Sequence, residues 1–97
     1  GGHDSKEVKV LAVAGRVTDS IYHQADKLFT CLVKGPVGTI NTMRIKLPRA
    51  PRANDISLTD QNGEKVKIDK QNWDAGSGTL FLKFDHVPGG GKLSIQL

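Results

Sequence analysis

Ile40-Asn41-Thr42-Met43-Arg44-Ile45-Lys46-Leu47 is the stretch that decides the fold class. Met43, Ile45 and Leu47 fall on one parity, and Thr42, Arg44 and Lys46 fall on the other. A two-residue period is that of a pleated strand with one face on a core and one in water. Pro48-Arg49-Ala50-Pro51 ends the run, because proline lacks a ladder donor and restricts the residue before it.

The same alternation recurs on both sides. Upstream, Val8, Val10 and Ala12 are expected on one face of an opening strand, with Lys9 and Leu11 on the other. Leu28 to Val33 is apolar at nearly every position except Thr30, which predicts a central strand covered on both faces. Helical spacing is found only in Tyr22 to Leu28, where Ala25 and Leu28 fit one face; the segment is too short to stand alone.

Downstream, Ile56 and Leu58 point inward while Ser57 and Thr59 point outward. Asp60-Gln61-Asn62-Gly63 follows, and an Asn-Gly pair between alternating runs closes a hairpin. The return strand is expected to turn Val66 and Ile68 inward and Lys65 and Lys67 to water. Trp73 is read in a polar linker, Gln71-Asn72-Trp73-Asp74, folded back over one end of the core. Thr79 to Phe84 sets Leu80, Leu82 and Phe84 against Phe81, and after the Pro88-Gly89-Gly90-Gly91 reversal Lys92 to Leu97 turns Leu93, Ile95 and Leu97 inward. About seven strands at turn intervals of roughly 8 to 12 residues predict an all-β domain, a small antiparallel β-sandwich; a small β-barrel is the alternative.

Length and composition bound the rest. Ninety-seven residues suit one compact domain, read as residues 8–97 after a flexible N-terminal segment, 1–7, whose Gly1-Gly2 has the look of an expression scar. No run approaches the roughly 18 to 20 apolar residues of a membrane helix. Fourteen Lys and Arg against ten Asp and Glu favour encounters with anionic partners. The lone Cys31 sits in an apolar strand, where a thiol packs as a small hydrophobe.

The second half resembles bacterial immunoglobulin-like domains. Ile56 to Val66 is similar to their strand, D-x-N-G turn and return strand, and Thr79 to Leu97 is similar to their last two strands joined by a Pro-Gly loop. The Cys…Trp…Cys signature of true immunoglobulin domains is missing. The resemblance implies a sandwich and brings no active-site residues.

Catalysis has little to stand on. His3, His23 and His86 are spread along the chain with no metal-ligand spacing, and no Gly-x-Ser-x-Gly, His-Glu-x-x-His or Walker pattern occurs. The chain is therefore expected not to be an enzyme and to need no cofactor. Gly1-Gly2-His3 could enclose copper or nickel in a square-planar site if Gly1 is a free terminus, and His3 as a mature first residue could bind copper with His23 or His86.

Basic residues make the other candidate. Arg44 and Lys46 share the outward face of one strand and Lys65 and Lys67 that of another; in one sheet they would form a cationic surface rimmed by Arg49 and Arg52. Aromatic residues are only 5%, which leaves no stacking platform for single-stranded nucleic acid. The expectation is a non-catalytic binding or structural module of an exported or cell-envelope protein, bacterial in type. It would meet a protein or an anionic polysaccharide through the basic face or an edge strand. The alternatives are a periplasmic copper-binding sandwich using His3 and a nucleic-acid-binding β-barrel.

Overall fold

The computed structural model describes residues 8–97. Eight strands run in chain order: β1 (Lys9–Val13), β2 (Arg16–His23), β3 (Leu28–Lys34), β4 (Ile40–Lys46), β5 (Ile56–Thr59), β6 (Lys70–Asp74), β7 (Thr79–Asp85) and β8 (Gly91–Gln96). They form two antiparallel four-stranded sheets, β1-β4-β7-β6 and β2-β3-β8-β5. The only helical element among the described residues is a 3-10 turn, Ala53–Asp55. The fold is a small β-sandwich, as the alternation predicts.

Inward parity fills the space between the sheets. Met43 and Ile45 of β4 and Leu80, Leu82 and Phe84 of β7 meet Phe29, Cys31 and Val33 of β3, Leu58 of β5 and Leu93 and Ile95 of β8. Burying a side chain of this size stabilises the fold by about 1.5–3 kcal/mol. Leu97 joins the core, its N–H donating to the Lys27 carbonyl at 2.8 Å.

Tyr22 to Leu28, too short to stand alone as a helix, holds none: β2 runs through His23, a turn covers 24–27, and β3 starts at Leu28. β2 hides its period because Thr18 pairs with Leu32 and Ile21 with Thr30, so Asp19 and Ser20 stand opposite Cys31 alone. That bulge holds Asp19 at φ 54 and switches parity, so Val17 and Tyr22 both pack on the core. Trp73 lies in strand β6, not in a linker, and its ring packs inward at the sheet edge opposite Leu80.

The expected return strand at 65–68 shrinks to one bridge, Thr59 with Lys65. Val66 and Ile68 do pack on the core, but the chain must cross about 10 Å between sheets before β6 begins. The count is thus eight strands rather than seven. β1 also carries a bulge: Val10 pairs with Ile45 and Ala12 with Arg44, which leaves Leu11 unpaired and 54% exposed. Ala12 consequently lies on the outer side, away from Val10. β3 is central, between β2 and β8, yet its outward Leu28 and Leu32 are only half-buried, and among the described residues no second layer covers that face.

Candidate functional site

The continuous registers of β4, β7 and β6, with β1 at the edge, place the outward side chains of one sheet in rows. Lys9, Lys46, Thr79 and Asp74 are successive partners across the four strands. The next row is Ala12, Arg44, Phe81 and Asn72. The third is Thr42, Lys83 and Lys70. Ile40 and Asp85 pair beyond it. Lys9, Arg44, Lys46, Lys70 and Lys83 thus share one face with the carboxylates Asp74 and Asp85, five cations to two anions among the described residues.

Hydroxyl groups organise one corner. Arg44 Nη1 donates to Thr79 Oγ1 at 3.0 Å, and Ser77 Oγ donates to Asp74 Oδ2 at 2.6 Å. Ser77 Oγ and Thr79 Oγ1 are 2.7 Å apart, and since the Ser77 proton is already given to Asp74, Thr79 is the donor between them. The Ser77 hydroxyl holds the Asp74 carboxyl below its ordinary range against the opposing effect of desolvation, helped by the Gly76 amide, the charge of Arg44 and the Ser77 amide. The Arg44 guanidinium also lies 5.5 Å from the centre of the Phe81 ring, within cation–π range. Lys46 Nζ donates to the Ser77 carbonyl at 3.2 Å, a neutral acceptor that leaves its charge uncompensated.

Between these groups lies a shallow depression of about 480 Å³, lined by Arg44, Lys70, Asn72, Trp73, Asp74 and Phe81. A smaller one of about 330 Å³ on the opposite sheet, at Asp19, Ile21, His23, Thr30 and Leu32, has Lys92 as its one cation. That outer face also carries Arg16 paired with Lys34, and Lys65 bridged to Thr59 at its edge, so cations stand on both sheets; the first carries the larger set, arranged around the depression of about 480 Å³.

The basic surface read from sequence is split by the fold. Arg44 and Lys46 share β4 as expected, but Lys65 bridges to β5 at the edge of the other sheet, and Lys67 follows in the crossing segment. Arg49 and Arg52 are exposed in the connection from β4 to β5. The residues that complete the face are Lys9, Lys70 and Lys83. Lys83 was visible as the outward neighbour of Phe81 in an alternating strand; Lys70 was hidden because β6, Lys-Gln-Asn-Trp-Asp, has almost no apolar parity.

The remaining candidates separate. His3 and the 1–7 segment lie outside the described residues. His23 is exposed on β2, its Nε2 3.3 Å from Thr30 Oγ1. His86 is buried, and its Nε2 must be the donor to the Ala14 carbonyl at 2.7 Å. No three His, Cys, Asp or Glu side chains gather into a metal-sized group among the described residues. Cys31 is 1% exposed, and burial pushes its thiol up to about 11, which keeps it protonated and unreactive at neutral pH. No helix among the described residues is long and apolar enough to cross a membrane.

No family model, curated protein or solved structure matches the chain.

Proposed function

We propose that this domain is a non-catalytic binding module, part of an exported or cell-envelope protein, which holds an anionic partner on the outer face of the β1-β4-β7-β6 sheet. The observation that carries the reading is the gathering of Lys9, Arg44, Lys46, Lys70 and Lys83 on that face. Cations in one field raise the local concentration of anions and steer their approach. Lysines on outward strand positions also guard against edge pairing, but Lys46 and Lys83 sit on interior strands, where there is no edge to guard.

The immunoglobulin-like reading is supported by strand neighbours. Immunoglobulin domains order their sheets A-B-E-D and C-F-G. Taking β4 to β8 as B to F, β1-β4-β7-β6 follows the first order and β5-β8 follows C-F. β3 then fills the place of G, antiparallel to β8. The non-catalytic reading is supported by the roles of the nucleophile and base candidates: Cys31 and His86 are buried in the packing.

The experiment is a binding titration of the domain with heparin, chosen as a generic polyanion, at about 50 and 200 mM salt. A complex touching five such cations is expected to weaken about 100-fold over that range, by the counterion-release slope of roughly −0.7 per contact. No binding at the lower salt would remove the reading.

A further inference from the structure

The five cations do not cover their face evenly. Lys9 and Lys46 occupy the first row at β1 and β4, Arg44 the second row at β4, and Lys83 and Lys70 the third row at β7 and β6. They step across the sheet from one corner to the opposite one. The opposite ends of those rows hold Asp74, in the first row at β6, and Thr42, in the third row at β4. With strands about 4.8 Å apart and same-face residues about 6.8 Å apart along a strand, the diagonal is roughly 20 Å long.

From this path, and resting on the anion-binding reading above, we infer that the ligand is an extended acidic polysaccharide lying along the Lys9–Lys46–Arg44–Lys83–Lys70 diagonal. A compact anion would need its cations converged on one point, whereas here they are strung out. A linear chain with charges at intervals matches them.

The depression beside the diagonal distinguishes a glycan from a nucleic acid strand. It offers the half-buried Phe81, the Asn72 carboxamide and the Asp74 carboxylate. Asp74 repels phosphate but accepts from a sugar hydroxyl, and Asn72 both donates and accepts. An acidic glycan presents hydroxyls and charges alternately, so its hydroxyls face Asn72 and Asp74 while its acid groups meet the lysines. Successive bases need successive stacking rings; among the described residues Phe81 is the one aromatic side chain at an outward position of this sheet, and Trp73 lines the depression only from an inward position, packed on the core.

The test compares two double variants that remove the same charge from the full chain. Lys46→Gln with Lys83→Gln cuts the diagonal; Lys65→Gln with Lys67→Gln removes two exposed lysines elsewhere. Heparin affinity is measured over a salt series. The diagonal pair is expected to lose about tenfold at 0.1 M salt and to flatten the log–log salt slope by about 1.4, with the control pair within about twofold of wild type. Phe81→Ala should lower affinity about fivefold with the slope unchanged, the mark of a contact that is not ionic.

Equal losses from the two pairs would overturn the diagonal and leave generic anion binding standing. Failure of the wild-type chain to bind would overturn the underlying reading instead. Tighter binding of a single-stranded oligonucleotide of matched charge would overturn the assignment to a glycan. Circular dichroism of each variant confirms that the sheets are intact before losses are compared.

Discussion

Arg44 and Asp74 are joined through two hydroxyls: the guanidinium donates to Thr79, Thr79 to Ser77, and Ser77 to the carboxylate. Every proton in that relay has one direction, so cation and anion polarise the intervening hydroxyls and tie Arg44 to its face of the sheet. Serine at 77 is reached because Gly78, at φ +68, turns the chain back and lets its N–H donate to the Asp74 carbonyl at 2.9 Å.

Breaking the relay should free the carboxylate. In Ser77→Ala, the Asp74 carboxyl loses its strongest partner, and its titration should move up toward the ordinary carboxylate range. The sign is fixed by the direction of the shift. A depressed value favours the folded state above the ordinary range, and that contribution disappears as pH falls through the folded value. Carboxyl-detected NMR titration of the two proteins would measure it, and an unmoved Asp74 would show that the hydroxyl is not the cause.

A second polar junction ties the N-terminal connection to the core. Asn41, fully buried at an inward position of β4, accepts the Ala14 N–H at 3.2 Å, while His86 donates to the Ala14 carbonyl. Gly35 lies against the His86 ring so closely that a Cβ there would collide with it. Gly35→Ala is expected to cost about 1–3 kcal/mol by overpacking. His86→Ala should cost a similar amount by removing the donor of the part-buried bond to the Ala14 carbonyl and opening a void. The double variant should cost clearly less than the sum, because removing the ring makes room for the methyl. Urea denaturation of all four proteins checks this; simple additivity would contradict the contact.

Cys31 predicts a stability loss in alkali. Its thiol titrates near 11 when folded against 9.0 when unconstrained. Between those values the unfolded chain binds fewer protons, so stability falls as pH rises, by up to roughly 3 kcal/mol. Unfolding midpoints at about pH 8 and pH 10.5 should diverge more for the wild type than for Cys31→Ala, which cannot titrate there. Equal divergence would mean that the thiol is not the titrating group.

The Asn62-Gly63 turn is secured from one side chain. Asp60 Oδ1 accepts the N–H groups of Asn62 at 2.9 Å and Glu64 at 3.0 Å, and Gly63 sits at φ +80. Asp60→Ala and Gly63→Ala are each expected to destabilise by about 1 kcal/mol, the first through lost hydrogen bonds and the second through left-handed strain. Thermal unfolding would read both; a loss in neither would place the turn's stability elsewhere.

Strands were legible where parity is carried by large apolar residues. Met43-Ile45, Leu80-Leu82-Phe84 and Leu93-Ile95 alternate cleanly, and each lies where its period predicts. β2 was not legible, because Asp19 and Ser20 shift the phase between Val17 and Tyr22, and a period cannot be followed through a bulge. β6 was missed because an edge strand needs few apolar side chains, and Trp73 and Gln71 alone turn inward there. The candidate face shared that fate. Arg44 and Lys46 declared themselves on one strand, but the strands beside them follow from long-range pairing, such as β4 with β7, that local sequence does not encode. Assigning Lys65 and Lys67 to the same sheet therefore failed, and Lys83 and Lys70 take their place.

The most direct measurement is backbone-amide NMR of the domain as a defined heparin oligosaccharide is added. Shifts are expected at Lys9, Arg44, Lys46, Phe81, Lys83 and Lys70, with the outward positions of β3 and β8 silent. Shifts concentrated instead at Lys34, Lys92, Lys65 and Lys67, or spread evenly over both sheets, would contradict the account.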